Sequence, residues 1–305
     1  MSKRALLVGI NNFAGGVNPL RGCINDSVEM RGLLTTYFGF QDDDIKVLHD
    51  QGATTQGISD GLAWLLSDYD GSDVRVFHFS SHGTQVDDQS DDEWEVLDEV
   101  IVPYNHDWNA PFRDDDLNKI FGAIPEGVNF TFIADCCHSG SIQRELLDSG
   151  IEFAPRYLTP PQEISDRIAE RKEKRDAEAD TWAAAQLAQM LKDVPQDQWV
   201  EKMAEYLSLL RRRFRENKYG IIPVDRHILL AGCEDRQTAA DARLDGDFRG
   251  AFTWALSLAV KEANGVLTYD QLITRASANL KNFEQRPQLE CPSKLRELKV
   301  FAPLA

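Results

Sequence analysis

Long hydrophobic runs are missing from these 305 residues. No stretch approaches the ~20 apolar residues that cross a bilayer. The opening Met1-Ser2-Lys3-Arg4 leads straight into a strand pattern, without the architecture of a signal peptide. Positive charge is scarce as well: 33 Lys and Arg stand against 50 Asp and Glu, a formal net charge of -17. That balance argues against a nucleic-acid-binding surface and against an anionic membrane. It suits basic partners or substrates drawn in electrostatically. Cysteine is sparse too. The five cysteines are an odd number, scattered apart from the Cys136–Cys137 pair, and their spacing offers neither a disulfide framework nor a zinc site. The expectation is a soluble, cytoplasmic protein in a reducing compartment.

The chain does contain an alternation of short apolar runs and amphipathic stretches. Arg4 to Ile10, Ile45 to Leu48 and Val74 to Ser80 read as strands. Between them lie helical patterns, from Gly22 to a stop at Gly39 and from Thr54 through Leu66, with Thr54 or Thr55 as N-cap. This order predicts an α/β fold with a parallel sheet and right-handed crossovers. Asp87 to Glu99 is strongly acidic, and Val100 to Pro103 reads as a hairpin strand. A helix starts at Arg113 to Leu117, where its acids suit the positive N-terminal end. Strands at Asn129 and at Arg226 to Gly232, then helices at Ala251 to Ala263 and Tyr269 to Phe283, complete the pattern.

Residues 154–225 differ, dividing the chain into a core segment 1–153, an insertion, and a core segment 226–305. Ile164 to Leu191 is charged and alanine-rich. Beyond Pro195, Trp199, Met203, Tyr206, Leu207, Leu210 and Phe214 share one helical face. The insertion therefore reads as a helical hairpin, since structureless loops of this length are uncommon.

Two strand ends carry chemistry. The run Phe130 to Ala134 breaks into Asp135, Cys136, Cys137, His138, Ser139 and Gly140, and Val74 to Phe79 breaks into Ser80, Ser81, His82 and Gly83. Parallel strands deliver the residues after them to the carboxyl edge of the sheet, where such folds bind ligands. Neighbouring strands would bring a thiol and an imidazole together there, the minimum of a cysteine hydrolase. His82 would take the proton of the Cys137 thiol and later give it to the leaving amine. Gly83 and the backbone N–H of Cys137 are the natural oxyanion donors. His78 reads as a packed core residue.

Ser80 to Gly83 and Asp135 to Gly140 resemble the two catalytic motifs of the caspase-like clan, specifically metacaspases and their prokaryotic relatives (peptidase family C14). In that family the nucleophile directly precedes the second-motif histidine, which points to Cys137 over Cys136. His82 lies upstream by about the 50 residues separating this pair in caspases. Gly22 to Asp26, Leu97 to Glu99, Asp114 to Leu117, Gly250 to Thr253 and Gln285 to Leu289 are also similar to metacaspase segments. The resemblance implies a mostly parallel six-stranded sheet with helices on both faces. It also implies a primary specificity pocket lined by Cys23, Asp26, Ser80 and Asp135. Two carboxylates there suit the guanidinium of Arg or the ammonium of Lys. The implied activity is a cysteine endopeptidase cutting after Arg or Lys, needing no cofactor for its chemistry. It would be made as a zymogen activated within the insertion by another protease or by itself, around Arg171 to Arg175 or Arg211 to Arg215. Asp98, Asp114 and Asp115 stand where the family would hold an activating calcium, although Arg144 replaces a family acid. The alternative is a catalytically silent caspase-like protein that binds a partner or regulates through the Trp199–Phe214 face. Oligomeric state stays open: the resemblance implies a monomer, while an edge strand near Gln285 to Cys291 offers pairing of two copies in caspase fashion.

Overall fold

The computed structural model describes residues 2–69, 71–87, 97–137, 151–192, 194–195, 198–199, 202–203, 227–234, 237–281, 283 and 285–304. His138, Arg144, the run 211–215 and most of the 199–214 face lie outside them. The chain divides into two compact units. One comprises Met1–Gln85, Glu99–Thr159 and Ile222–Ala305; the other comprises Val86–Asp98 and Pro160–Ile221.

From the N-terminus the elements are β1 (Lys3–Gly9), α1 (Cys23–Tyr37), β2 (Ile45–His49), α2 (Thr55–Leu65), β3 (Val74–Ser80) and β4 (Gly83–Asp87). Next are β5 (Leu97–Ile101), β6 (Phe112–Arg113), α3 (Asp114–Gly122), β7 (Asn129–Asp135) and β8 (Phe153–Pro155). After α4 (Gln162–Leu191) come β9 (Ile228–Ala231), β10 (Ala240–Leu244), β11 (Asp247–Gly250) and α5 (Ala251–Glu262). The chain closes with α6 (Tyr269–Asn279), β12 (Gln288–Glu290) and α7 (Ser293–Arg296).

The first unit is built on a six-stranded sheet in the order β12-β9-β7-β3-β1-β2. Only β12 runs antiparallel to its neighbour; the other five strands are parallel. Every residue of β3 and of β7 is buried, as strands covered on both faces must be. Alternation separates the two faces. Ala5, Leu7, Val74, Val76, Ile133 and Leu230 join Met30, Leu33 and Leu34 of α1 and the apolar residues of α5 and α6 in one core. On the other face Phe77 stacks on Phe132 at 4.8 Å between ring centroids, with Phe121 of α3 beside Phe130 at 4.7 Å. Leu6 points to this side, where a Cβ added at Gly61 of α2 would meet its methyl groups. Helices thus cover both faces. Thr54 caps α2 as anticipated, its hydroxyl accepting from Gly57 N at 3.0 Å.

Two further sheets have three strands each, in the orders β11-β10-β8 and β4-β5-β6. The second unit contains α4, a helix of 30 residues. In it Arg167 of α4 pairs with Asp87 at 3.2 Å. Among the described residues no helix is long and apolar enough to cross a membrane.

Candidate active site

The register of β3 and β7 pairs Ser80 with Asp135. The two strands therefore release His82–Gly83 and Cys136–Cys137 at the same edge of the sheet. β1 ends beside them, Gly9 opposite Ser80, and feeds the loop before α1, whose first turns carry Cys23 and Asp26. Cys23, Asp26, Ser80 and Asp135 are all fully buried.

These four residues surround a side chain of the same chain, Arg156, which has no solvent exposure. Its Nη2 donates to Asp26 Oδ2 at 2.6 Å and to Asp241 Oδ1 at 3.0 Å. Its Nη1 donates to Ser80 Oγ at 2.8 Å and to the Asp135 carbonyl at 3.0 Å, and pairs with Asp135 Oδ1 at 3.2 Å. Burial works against this cation, but Asp135, Asp26 and Asp241 more than compensate and hold it firmly protonated. The carboxylates are themselves anchored. Asp26 accepts from Gly250 N at 2.9 Å and Ser80 Oγ at 2.7 Å; Asp135 accepts from Thr253 N at 2.8 Å and Thr253 Oγ1 at 2.7 Å. Asp241 accepts from Arg21 N at 2.7 Å and Gly22 N at 2.9 Å. Burial pushes Asp26 up to about 6, against the pull of Arg156. Gly250 makes the room, because a Cβ there would overlap Asp135 Oδ2 and Arg156 Nη1.

The backbone around Arg156 is held along its whole length. β8 pairs antiparallel with β10, setting Phe153, Ala154 and Pro155 opposite Ala242, Asp241 and Ala240. Arg156 N donates to the Ala239 carbonyl at 2.9 Å. The Arg156 carbonyl accepts from Gly83 N at 3.0 Å and from Cys137 N at 3.3 Å. Beyond it, Leu158 N donates to the Gly83 carbonyl at 2.9 Å and Thr84 Oγ1 donates to the Leu158 carbonyl at 2.6 Å. A peptide bond, Arg156–Tyr157, thus lies with its carbonyl on the two N–H groups that the sequence nominated as oxyanion donors.

His82 is 3% exposed, with its ring centroid 5.1 Å from that of Phe13. Its Nε2 lies 2.8 Å from the Asn18 carbonyl. A carbonyl only accepts, so Nε2 carries the proton and Nδ1, which has no hydrogen-bond partner among the described residues, is the free base. Burial lowers its pKa to about 4, so the ring is neutral at pH 7. Burial does the same to His78, to about 4. That ring lies 3.2 Å from Thr253 Oγ1 inside the core, in keeping with a packed residue.

The Cys137 sulfur is bonded to that of Cys233, 96 residues away in sequence, with Cα atoms 6.8 Å apart. The Ala239 N–H donates to the same Cys137 sulfur. This departs from the expectation of unpaired thiols. The reason is topological: β7 and β9 are adjacent, Ala134 opposite Ala231, so both chains turn at one edge and bring together cysteines that no local spacing relates. Cys23 and Cys136 are buried and take no part in that disulfide.

The acids proposed for calcium are Asp98, Asp114 and Asp115. Asp114 opens α3; its Oδ1 accepts from Asp115 N at 2.9 Å and its Oδ2 from Glu99 N at 3.3 Å. Among the described residues no three His, Cys, Asp or Glu side chains form a group able to hold a metal ion. Asp98 and Asp115 thus belong to no such group, and no step is assigned to calcium. Sequence reasoning missed Asp241, Arg156 and Cys233. Asp241 alone carried a signal, as a lone acid between Ala239, Ala240 and Ala242.

A family model described as the caspase domain matches residues 2–299. Metacaspase-1 of Kluyveromyces lactis is 30% identical over 297 residues, covering 95% of this chain and 66% of that protein. Metacaspase-1 of Candida glabrata is 31% identical over 299 residues, covering 94% and 72%. The chain spans about two thirds of the length of the curated relatives it matches. Among solved structures, a Geobacter sulfurreducens protein superposes with a TM-score of 0.63 at 21% identity, covering 100% of both chains. Caspase-1 from Spodoptera frugiperda does so at 0.52 and 12% identity, covering 95% and 86%. Both share the fold.

Proposed function

The chain belongs to the caspase-domain family of peptidases, and we propose that it is a cysteine endopeptidase cutting after Arg or Lys. We further propose that it is a zymogen whose own Arg156–Tyr157 bond is the first to be cut. One observation carries this reading. Arg156 lies in the site as a substrate would, guanidinium among three carboxylates, carbonyl on Gly83 N and Cys137 N, and flanking backbone paired with β10. An Asp side chain in the same pocket would add a fourth carboxylate to a buried cluster, which like-charge repulsion disfavours. The preference is therefore opposite to that of caspases.

In the reduced enzyme, the chemistry rests on the placement of each group. His82 Nδ1 takes the proton from the Cys137 thiol, and the thiolate attacks the carbonyl carbon after the basic residue. Charge that develops on the carbonyl oxygen falls on Gly83 N and Cys137 N. Collapse of the tetrahedral species breaks the C–N bond, and the proton held by His82 leaves with the amine. A water then hydrolyses the thioester and restores the thiol. Asn18, through its carbonyl, keeps the His82 proton on Nε2 and so fixes which nitrogen serves as base. Asp241 joins Asp26 and Asp135 as a specificity residue. The segment 153–158 occupies the whole site until it is cut and withdrawn, so the precursor is held inactive by its own substrate.

The test is turnover of fluorogenic Phe-Ala-Pro-Arg, Phe-Ala-Pro-Lys and Phe-Ala-Pro-Asp peptides in reducing buffer, with and without calcium. Arg and Lys peptides should be cleaved, the Asp peptide should not, and Cys137→Ala should abolish turnover. His82→Asn should lower kcat by ~10²–10⁴-fold, the range of general acid–base catalysis. Silence on all peptides, even after the chain is nicked at Arg156, would leave partner binding as the better account. The calcium arm decides whether an activator is required.

A further inference from the structure

The sulfur that must attack a substrate is the one bonded to Cys233. The two roles exclude each other, since a sulfur in a disulfide has neither the lone thiolate nor the proton that His82 would take. A disulfide elsewhere in the fold would be a staple; at this atom it is a stop. We propose that Cys137 and Cys233 form an oxidation site of this enzyme, a reversible disulfide that shuts off the peptidase when a peroxide is present. The proposal rests on the reading of Cys137 as nucleophile.

The fold builds the pair. Gly232 N donates to the Ala134 carbonyl at 2.9 Å, extending the β7–β9 pairing to the sheet edge immediately before Cys233. The Cys233 sulfur lies 4.0 Å from the Cys136 carbonyl. Cys137, Cys233 and Ala239 pack as a small buried cluster. The Cα separation of 6.8 Å is at the upper end of the span a disulfide bridges, ~4.4–6.8 Å. No large backbone movement is therefore needed to close the bond. Cys23, Cys136 and Cys291 take no part in the disulfide, so the pairing is selective.

The chemistry balances with hydrogen peroxide as oxidant. The Cys137 thiolate displaces hydroxide from the O–O bond, which with a proton leaves as water, and the sulfur becomes a sulfenic acid. The Cys233 sulfur then attacks the Cys137 sulfur. The S–O bond breaks, a second water leaves with the Cys233 proton, and the S–S bond forms. Two thiols have lost two electrons, and one peroxide has become two waters. A dithiol reductant returns both thiols by exchange. Cys233 also limits damage, because a sulfenic acid without a partner thiol goes on to sulfinic acid, which reductant does not restore.

The experiment uses the full chain after processing at Arg156, as wild type and Cys233→Ser. Each is assayed on the Phe-Ala-Pro-Arg peptide in reductant, after hydrogen peroxide, and after added dithiothreitol. Oxidised samples are digested without reduction, and tandem mass spectrometry locates cross-linked and over-oxidised cysteines. Wild type should lose activity on the order of tenfold or more with peroxide, show a Cys137–Cys233 cross-linked peptide, and recover in dithiothreitol. Cys233→Ser should start active, lose activity with peroxide and stay lost, with sulfinic acid at Cys137. Absence of the cross-link in oxidised wild type, or equal recovery of Cys233→Ser, overturns the proposal. Wild type silent in reductant from the outset overturns the peptidase reading itself, whether or not the cross-link forms, so the two failures are distinguished.

Discussion

Replacing Arg156 tests the substrate-like geometry most directly. The guanidinium reaches Asp26, Asp241, Ser80 and both the carboxylate and the carbonyl of Asp135 through two terminal nitrogens. A lysine ammonium carries the same charge but is a single point with three donors, so it cannot satisfy both ends of this fork. Charge-assisted hydrogen bonds contribute ~1.5–3 kcal/mol each. Losing one to two of them, with water partly replacing the loss, removes about 2.7 kcal/mol, or roughly 100-fold in the rate of self-cleavage. Arg156→Ala goes further, leaving three buried carboxylates without a counter-charge, a loss of about 3–5 kcal/mol for the covered pocket. In that variant segment 153–158 should leave the site and the 156–157 bond should stay intact. The assay is intact-mass spectrometry of purified chains incubated in reductant, with Cys137→Ala as control. Wild type should yield a fragment beginning at Tyr157, Arg156→Lys should yield it slowly, and Arg156→Ala and Cys137→Ala should not. A Tyr157 terminus produced at the wild-type rate by Arg156→Ala would refute the reasoning. One produced by Cys137→Ala would show that cleavage comes from elsewhere.

The same geometry has three further testable outcomes. Burial raises Asp26 to about 6, against the pull of Arg156. Protons therefore compete with a basic side chain around pH 6, and KM for Arg peptides should climb as pH falls from 7 to 5; Asp26→Asn should flatten that profile while raising KM throughout. Gly250→Ala places a methyl where the guanidinium lies and should cut kcat/KM on Arg peptides by on the order of 100-fold, the scale of losing one to two charged hydrogen bonds; a Gly250→Ala enzyme with unchanged kcat/KM would sink the pocket assignment. Phe132→Ala removes the ring stacked on Phe77 and should cost ~3–5 kcal/mol of stability, read as a lowered denaturant midpoint in Cys137→Ala, where self-cleavage does not interfere.

The sequence made legible the features that depend on nearby residues. The apolar runs at Val74 to Phe79 and Phe130 to Ala134 are strands because nothing else buries such runs on both sides. Once they pair as parallel neighbours, their polar ends meet at one edge. Thr54 as a cap and the acids opening α3 are likewise local choices. The features that stayed hidden depend on pairing between distant strands. Asp241 faces the pocket only because β10 runs beside β8, and Cys233 reaches Cys137 only because β9 lies against β7. Arg156 is one arginine among many on paper, whereas the dense basic runs 171–175 and 211–215 draw the eye. Burial singles out Arg156, and composition carries no information about burial.

The three-residue pairing of β8 with β10 has a kinetic consequence. On the proposed reading, hydrolysis turns the Arg156 carbonyl into a carboxylate that still faces Gly83 N and Cys137 N, with its side chain still among the acids. Cutting is then not opening: the new chain end remains a tethered product at very high local concentration. It must peel from β10 before any other peptide enters. The onset of turnover would be a first-order lag whose length does not change with enzyme concentration, set by the fraying of a short edge strand and not by the speed of the chemistry.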